Sequence, residues 1–304
     1  MASFLRKAFK KIKVLLQYVF WGPNKTDEYY IKKMYYSEFG RFPDLKNPKK
    51  YTEKIQWLKL HFRQKYQTEV TDKYTARDYW VRNFGEEYLI PLVFETRNWR
   101  KITMDVIPDY PCIIKPSSGS GDFIIIKDKA QLNIKELRKM CKKWLKKKYY
   151  YISHEWNYKH AKQRIIIEKL LSTNEGKIPN DYKLSFINGE LQFIYCSVDR
   201  EGENFRIIYD KDWKRLPFSL SSCHASESKS HDIPRPKSLD KMIEIGSEVA
   251  KLFCLVRVDF YDVDGSLYYG EITMYHGGGF EHFDPPEYDD LLGEKVDLNF
   301  VKMK

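Results

Sequence analysis

The sequence has few of the residues that cross-link a fold or bind a structural metal. Its 304 residues include five cysteines, an odd number, widely spaced and without a CxxC pair. This pattern argues against a disulfide framework and fits a reducing compartment. Cys223, His224 and His231 form only a weak metal signal, because a closed zinc site needs four well-spaced ligands. We therefore expect neither disulfide bonds nor a zinc site.

Long hydrophobic runs are missing too. No apolar stretch reaches the roughly 18 residues of a membrane-spanning helix. The N-terminus lacks a small-residue cleavage site after its apolar part, which argues against a secretory signal. No repeat with a period of about 20 to 50 residues occurs, which excludes a solenoid. These absences favour a globular protein of the cytoplasm.

Acidic residues are less numerous than basic residues. The 53 Lys and Arg residues outnumber the 42 Asp and Glu residues, which gives a formal net charge of +11. Such a charge favours an anionic partner, which could be a nucleic acid, an acidic membrane surface or an acidic polymer. A lysine-rich surface without a specific partner explains the same charge equally well.

The opening segment contains no acidic residue before Asp27. Apolar residues recur at helical spacing over residues 4–20, with basic residues between them. We predict a basic amphipathic helix within an N-terminal segment 1–24. Such a helix suits peripheral contact with an anionic membrane, at the inner face of the bacterial membrane, and it equally suits docking on its own domain.

Helices are predicted to dominate the region 25–110. One follows Asn47-Pro48, and a second begins at Thr71 or Asp72, which are suitable N-cap residues. A later basic helix includes the run Lys142–Lys148, which is typical of a solvated helix face. Strand hairpins follow, with turns at Asn188-Gly189 and Asp264-Gly265. Helices first and hairpins later indicate an α+β fold with largely antiparallel sheets.

The stretch "IIKPSSGSGD" at residues 113–122 carries the first chemical signal. Lys115 precedes the glycines at a strand end, so the stretch is not a Walker loop, in which the lysine follows them. The glycines lead into another strand, which excludes a Rossmann fingerprint. A lysine on a strand can hold one phosphate while a small loop folds over the others and offers backbone N–H groups. An ordinary Gly-Ser hairpin turn remains the alternative.

Two carboxylates form the second signal. Arg257 and Asp259 share one face of a predicted strand, and Glu271 and Thr273 share one face of the next, because alternate residues point the same way. Across a hairpin, Asp259 and Glu271 come close together, and two such carboxylates repel unless a cation binds between them. Mg²⁺ fits, since it takes oxygen ligands and bridges to phosphates. The alternative is a pair of edge carboxylates facing solvent.

Six motifs in order resemble the ATP-grasp fold: "TDKYTAR", "IIKPSSGSGD", "RIIIEKLL", "DYKLSFING", "RVDFY" and "GEIT". Together with "NPKKYTEKIQWLKL" and "GGGFEHFDP" they are similar to the TupA-like branch, which is associated with teichuronopeptide and capsular polysaccharide biosynthesis. The similarity covers roughly residues 40–295. It implies two antiparallel sheets, flanked by helices, that grip ATP. It also implies a lid subdomain over 111–172 and a C-terminal subdomain with a metal site over 173–304.

The resemblance implies a role for particular residues. Lys73 and Lys115 would be the two phosphate lysines, and Arg257 would face the reacting acyl phosphate as a catalytic residue together with Lys183. The full ATP-binding set that it implies is Lys73, Lys115, Ser117, Ser118, Gly119, Ser120, Gly121, Glu168, Lys169, Leu171, Glu175 and Lys183. In this set Ser117 to Gly121 form a mobile loop, Glu168 to Leu171 form the adenine hinge, and Glu175 meets the ribose.

The implied metal ligands are Asp259, Glu271 and Thr273. Thr273 departs from the family pattern, in which asparagine commonly holds this place, and a hydroxyl is a weaker magnesium ligand than an amide carbonyl. His276, just beyond, has no role in the general pattern, although a proton-accepting role is open to it. The cofactors implied are ATP and Mg²⁺.

The activity implied is an ATP-dependent carboxylate–amine ligase that works through an acyl phosphate. The expected acceptor is a uronic-acid carboxylate of an acidic surface glycan, and the nucleophile is an amino acid or another amine. A glycosyltransferase is the alternative, prompted by the DxD at Asp262-Val263-Asp264, although a tight hairpin turn explains those residues as well. A nucleic-acid binder is a third hypothesis, which the scattered lysines and the lack of a recognition motif disfavour.

Overall fold

A computed structural model of the protein describes residues 26–202, 205–220 and 232–303. The predicted N-terminal helix over residues 4–20 lies outside the described residues. The same is true of Cys223, His224 and His231, the weak metal signal of the sequence.

Four α-helices come first, as the sequence predicted for this region. The first is capped at Thr26, whose side chain accepts a hydrogen bond from the backbone N–H of Tyr29, and it ends at Gly40 with φ of 69°. No helix in the described part of the chain is long and apolar enough to cross a membrane. The four helices are α1 (Asp27–Phe39), α2 (Tyr51–His61), α3 (Lys65–Thr71) and α4 (Ala76–Asn83).

The corner between α3 and α4 corrects one sequence prediction. A helix was expected to begin at Thr71 or Asp72, but α4 begins at Ala76. The carboxylate of Asp72 accepts hydrogen bonds from the backbone N–H groups of Tyr74 (3.0 Å) and Thr75 (3.1 Å). These bonds stabilise a tight turn, because a short acidic side chain competes with helix formation for nearby N–H groups.

A four-stranded antiparallel sheet forms the smaller of two cores. Its strands are β1 (Leu92–Thr96), β2 (Cys112–Pro116), β3 (Ile124–Ile126) and β4 (Ile165–Lys169), in the order β1-β4-β2-β3. Helix α5 (Ile134–Lys146) buries Leu137, Cys141 and Trp144 against this sheet. A short helix, α6 (Tyr150–Ser153), follows. The loop 117–123 joins β2 to β3, so the predicted hairpin around the glycines is confirmed.

A five-stranded antiparallel sheet forms the larger core, together with α7 (Leu239–Ala250) on one face. Its two predicted hairpin turns are confirmed, with Asn188 and Asp264 at φ of 50° and 56° and a glycine after each. Its strands are β5 (Asp181–Ile187), β6 (Glu190–Val198), β7 (Phe205–Tyr209), β9 (Leu255–Val263) and β10 (Ser266–Thr273), in the order β10-β9-β5-β6-β7. The antiparallel α+β fold predicted from the sequence is therefore confirmed.

Three short elements complete the described chain. Strand β8 (Ser219–Leu220) pairs with β11 (Phe283–Asp284), and α8 (Tyr288–Lys295) packs against α2. Gly293 allows this packing, because a Cβ there would lie 2.2 Å from the carbonyl oxygen of Lys49. The end of the chain is thereby fixed to the N-terminal helices.

Candidate active site

The site begins with the register of three neighbouring strands. Glu271 on β10 lies opposite Asp259 on β9, and Thr273 lies opposite Arg257. On the other side of β9, Lys183 of β5 also lies opposite Asp259. Since alternate residues share a face of a sheet, all five side chains project from the same face. The pairing of Asp259 with Glu271 that the sequence predicted is confirmed.

A network of close charges joins these side chains. The Arg257 guanidinium binds both oxygens of Asp259, from Nε at 2.7 Å and from Nη2 at 2.8 Å. The same Nη2 lies 3.1 Å from Oγ1 of Thr273 and 3.5 Å from Oε1 of Glu271. Burial opposes the charge on Arg257, but Asp259 and Glu271 outweigh it and raise the pKa of the guanidinium. Arg257 is therefore a permanent cation at the centre of the face.

Asp181 also belongs to this network, although the sequence analysis did not select it. Lys183 Nζ contacts Asp181 and lies 3.1 Å from Oδ2 of Asp259. Burial disfavours the Lys183 ammonium, but Asp181 and Asp259 outweigh it and raise its pKa. Oδ1 of Asp181 is buried and has no hydrogen-bond partner among the described residues. Its place two residues before Lys183, on the same strand face, was a signal that could have revealed it.

Lys73 links the loop 117–123, which we call the phosphate loop after its predicted role, to the larger sheet. Its Nζ lies 2.9 Å from Oε2 of Glu271 and donates to the carbonyl oxygen of Gly119 at 2.9 Å. Its backbone N–H donates to the carbonyl of Ser117 at 2.8 Å. Burial opposes ionisation of Glu271, but Lys73 and Arg257 outweigh it and lower the pKa of this carboxyl to about 2. Glu271 therefore stays ionised at any ordinary pH.

The first half of the phosphate loop is held by Asp72. The hydroxyls of Ser117 and Ser118 both donate to Oδ2 of Asp72, at 2.7 Å and 2.5 Å. Both serines are buried, and the backbone N–H of Ser118 donates to Oε1 of Gln163 at 3.1 Å. Sequence reasoning missed Asp72 as a site residue, although it precedes Lys73. Asp72 therefore engages both hydroxyls, and the phosphate role of the loop stays a prediction.

The second half of the loop is set by two glycines. Gly119 has φ of 104°, and a Cβ there would lie 2.5 Å from the ring of Tyr149. Gly121 has φ of 79° and open space around it. Ser120 and Gly121 are exposed, and the Tyr149 hydroxyl donates to the carbonyl of Ser120 at 3.4 Å. The exposed tip is thus free to fold over a ligand.

Lys115 and Glu168 form the part of the site on the smaller sheet. Lys115 Nζ lies 2.6 Å from Oε2 of Glu168, whose other oxygen lies 3.4 Å from Nη1 of Arg77. Glu168 is only 4% exposed, so its charge needs these two cations. The sequence analysis assigned Arg77 no role, because its partner Glu168 lies far along the chain.

Three further residues of the implied ATP set lie outside these ion pairs. Lys169 is exposed, and its backbone N–H donates to the carbonyl of Pro91 at 3.0 Å. Leu171 is half-buried at the end of β4. Glu175 is exposed and pairs with Lys177 at 2.9 Å. Their roles in the hinge and at the ribose stay predictions.

His276 lies in the turn His276–Gly279, beyond β10. Its ring centroid lies 6.2 Å from that of Phe193 and 6.1 Å from that of Tyr195, both on β6. Its Nε2 lies 3.1 Å from Oε2 of Glu281. Burial, reinforced by Arg257 and Lys183, lowers the pKa of His276 well below its usual value. The imidazole is therefore neutral at physiological pH.

Helix α2 holds this glycine turn in place. Lys59 is fully buried, and its ammonium donates to the carbonyls of Ser153 at 2.9 Å and Gly278 at 2.5 Å. Gln56 donates to the carbonyls of Gly278 and Gly279 at 3.1 Å and 2.8 Å. Burial lowers the pKa of Lys59 to about 7. The Lys59 side chain thus connects helix α2 to the end of α6 at Ser153 and to the glycine turn at Gly278.

The DxD that prompted the glycosyltransferase alternative has a structural role. Asp262 accepts hydrogen bonds from the backbone N–H and hydroxyl of Ser238, at 2.9 Å and 2.6 Å, and from the N–H of Gly265 at 2.7 Å. Asp264 accepts one from the N–H of Asn174 at 2.8 Å. Both carboxylates stabilise the hairpin and its neighbours, as turn chemistry predicts.

The face of the larger sheet fits a magnesium ion that also binds a phosphate. In the part of the chain that the structure describes, no cluster of three or more His, Cys, Asp or Glu side chains could hold a metal. Asp259 and Glu271, opposite each other in register, supply two carboxylates. Mg²⁺ commonly binds proteins through one or two carboxylates and completes its shell with water and substrate phosphates. The residues present match that donor set.

A family model described as TupA-like ATPgrasp matches residues 53–297. The chain belongs to the TupA-like ATP-grasp family. The resemblance and the ATP-grasp fold predicted from the sequence are both confirmed. This ATP-grasp protein is an ATP-dependent ligase that joins a carboxylate to an amine.

Several solved structures are similar to this ATP-grasp enzyme. D-alanine–D-alanine ligase from Bacillus anthracis has 18% identity over 77% of this chain and 67% of that chain, with a TM-score of 0.43. The ligase from Helicobacter pylori has 16% identity over 77% of this chain and 60% of that chain, with a TM-score of 0.39. The ATP-grasp ligase PsnB, complexed with its minimal precursor, has 11% identity over 73% of this chain and 59% of that chain, with a TM-score of 0.36. No curated protein matches the sequence. The family assignment therefore rests on the match over residues 53–297.

Proposed function

We propose that this ATP-grasp enzyme uses ATP and Mg²⁺ to join a uronic-acid carboxylate of a surface polysaccharide, or of its precursor, to an amino acid or another amine. The observation that carries the chemistry is the ion network in which Lys73, Glu271, Arg257 and Asp259 meet on one sheet face. It offers cations for phosphate and carboxylates for a metal within one site.

The cations of the site are held by carboxylates that a nucleotide can replace. Lys73 pairs with Glu271 and Lys115 pairs with Glu168. Phosphate oxygens would replace these carboxylates as the partners of both ammonium groups, because lysine forms strong charge-assisted hydrogen bonds with phosphate as well as with carboxylate. Asp259 and Glu271 would then hold Mg²⁺, which, when bound, neutralises charge on the phosphates.

In the first step, an oxygen of the substrate carboxylate attacks the γ-phosphorus of ATP. The bond from that phosphorus to the bridging oxygen of ADP breaks, ADP leaves, and an acyl phosphate forms. Negative charge spreads over the transferring group, and Lys73, Lys115 and Arg257 are the cations placed to stabilise it. The protein mainly positions the reactants, because little covalent chemistry falls to its side chains.

In the second step, the amine nitrogen attacks the acyl carbon. The C–N bond forms, the bond from carbon to the phosphate oxygen breaks, phosphate leaves, and the nitrogen loses a proton. Arg257 stabilises the oxyanion that develops between attack and departure. His276, whose neutral imidazole is under the electrostatic influence of Arg257 and Lys183, is the base that we assign to accept this proton.

Two observations support the polysaccharide substrate. The resemblance to the TupA-like branch implies a role in teichuronopeptide or capsular polysaccharide biosynthesis, and a formal charge of +11 suits an acidic glycan. Assembly of such glycans places the enzyme in the cytoplasm, at the inner face of the membrane, where the basic segment 4–20 would make peripheral contact.

The test is a coupled ligation assay. The purified protein is incubated with ATP, Mg²⁺, glucuronic or galacturonic acid or their oligomers, and a pool of amino acids. We expect ADP release that needs both the acid and the amine, and a product whose mass is the sum of the two less one water. Glu244→Ala, which removes an exposed carboxylate of α7 that pairs with Lys241, serves as the control and should keep normal activity. No amine-dependent ADP release across these pools would contradict the proposal, and turnover of a nucleotide sugar would favour the glycosyltransferase.

A further inference from the structure

Two short segments of the described chain are rich in positive charge. Residues 97–101 and 134–148 contain eleven Lys or Arg residues and a single acidic residue, Glu136. The formal charge of these two segments together is +10. The segments lie together, because the turn Trp99–Lys101 packs against α5. We call them the basic surface.

Helix α5 displays its charges on one side. Its apolar side chains are buried in the smaller core, while the opposite side is basic, as the helical period requires. Of the six basic residues within that side, five are exposed and Arg138 is half-buried. The six are Lys135, Arg138, Lys139, Lys142, Lys143 and Lys146. Among the described residues, only Lys139 of these six forms an ion pair, with Glu136 at 3.7 Å.

Trp99 brings three of these cations close together. Arg100, Lys142 and Arg138 lie 4.7, 5.2 and 5.9 Å from the centre of its ring. None of the three forms an ion pair with a residue that the structure describes, and the buried Nε of Arg138 has no hydrogen-bond partner there. Cation–π contacts offset part of the mutual repulsion. An anion bound beside Trp99 would offset the remaining repulsion between the three cations.

The shape of the basic surface limits the class of partner. A helix that binds a bilayer inserts its apolar side, but α5 buries Leu137, Cys141 and Trp144 in the core. Proteins that bind single-stranded nucleic acid stack bases on open aromatic rings, but the Trp99 ring is covered by cations. A flexible polymer of carboxylates needs neither an apolar face nor an open aromatic ring and can bind to the row of exposed Lys and Arg side chains alone.

We propose that the basic surface binds an acidic polysaccharide and so keeps the polymer at the ligase. This inference rests on the proposed function for the identity of the partner. Helix α5 covers one face of the smaller sheet, while Lys115 and Glu168 meet on β2 and β4 of that sheet. Because Lys115 alternates with Ile114, which is buried under α5, Lys115 projects from the opposite face of this sheet, and a flexible polymer would pass the sheet edge to reach it. Binding to the basic surface would still raise the effective concentration of the polymer carboxylates near the enzyme.

The test compares two variants with the same change in charge. One carries Lys135→Gln, Lys142→Gln and Lys146→Gln on the basic surface. The control carries Lys211→Gln, Lys241→Gln and Lys251→Gln, three lysines that pair with acidic neighbours elsewhere. The probe is polygalacturonate, and its affinity is measured over a range of salt concentrations.

We expect the basic-surface variant to lose affinity about tenfold at low salt and to show a shallower salt dependence, because fewer counterions are released. The control should change by less than about twofold. Equal loss in both variants, or none in the first, overturns the proposal. Tighter binding of anionic vesicles or single-stranded DNA than of polygalacturonate overturns the choice of partner.

The same variants separate this proposal from the ligase activity. The basic-surface variant should keep amine-dependent ADP release with a monomeric uronic acid and lose it with the polymer at low concentration. Binding of polygalacturonate without any ligation would count against the proposed function and leave the basic surface in place. Ligation of monomers with no binding of the polymer would support the proposed function and overturn the role of the basic surface.

Discussion

Lys73 Nζ lies 2.9 Å from Oε2 of Glu271, so a side chain expected to bind phosphate is paired with one expected to bind magnesium. If both expected roles hold, binding of the magnesium nucleotide would exchange these partners, so that the ammonium contacts phosphate and the carboxylate contacts the metal. Each charge would then have a partner before and after binding. In this structure the pair balances two partly buried charges.

Replacing Lys73 tests this exchange. Lys73→Met should weaken binding of ATP with magnesium by at least tenfold, because a charge-assisted hydrogen bond contributes about 1.5–3 kcal/mol. Calorimetric titration measures the affinity, with Lys241→Met as a control, since Lys241 is partly exposed and pairs with Glu244 on α7. Unchanged affinity in Lys73→Met would show that Lys73 does not reach the nucleotide.

Lys115 is the second test. Lys115→Ala should lower ATP turnover by at least about 100-fold, since it removes a cation placed to stabilise the transferring group. The far-ultraviolet circular dichroism should not change. Lys251→Ala, at an exposed lysine that pairs with Glu248, is the control and should retain most activity. Full activity in Lys115→Ala would contradict the phosphate role of this lysine.

The two glycines of the phosphate loop provide a matched pair. Gly119→Ala places a Cβ 2.5 Å from the Tyr149 ring, whereas Gly121→Ala meets no atom within 4 Å, and both positions have positive φ. Gly121→Ala should cost about 1–2 kcal/mol in local strain alone. Gly119→Ala should also displace Tyr149 and lower ATP turnover more. The double variant Gly119→Ala, Tyr149→Ala should recover part of that loss, and no recovery would argue against the steric explanation.

Asp27 predicts a dependence of stability on pH. Burial opposes its ionisation, but hydrogen bonds from His154 and Tyr150 and the charge of Arg63 outweigh it and hold its pKa well below the usual value. The stability that it contributes is therefore present above about pH 4 and is lost as the pH falls toward the lower, folded-state value.

Urea unfolding of wild type and Asp27→Asn at neutral pH and at about pH 3 measures this contribution. The variant should be less stable at neutral pH, and the difference from wild type should shrink on acidification. Asp212→Asn, at an exposed aspartate paired only with Lys211, is the control. A difference that stays constant between the two pH values would refute the pKa assignment.

The sequence predicted best where the signal was local. The Asn188-Gly189 and Asp264-Gly265 turns each predicted a hairpin. The second turn, together with the alternation in β9 and β10, predicted that Asp259 and Glu271 lie opposite each other. Arg77 could not be predicted, because its contact with Glu168 joins segments far apart in the chain. The start of α4 was misplaced, because Asp72 caps a turn there and not a helix.

The hydrogen bonds of Asp72 carry a consequence for the dynamics of the protein. One carboxylate holds the turn before α4 through Tyr74 and Thr75, and holds the phosphate loop through Ser117 and Ser118. Opening of the turn would release the loop at the same moment, so the two segments behave as one cooperative unit. Their amide protons would then exchange with solvent together, and a ligand that orders the loop would slow exchange in the adjoining helical corner as well.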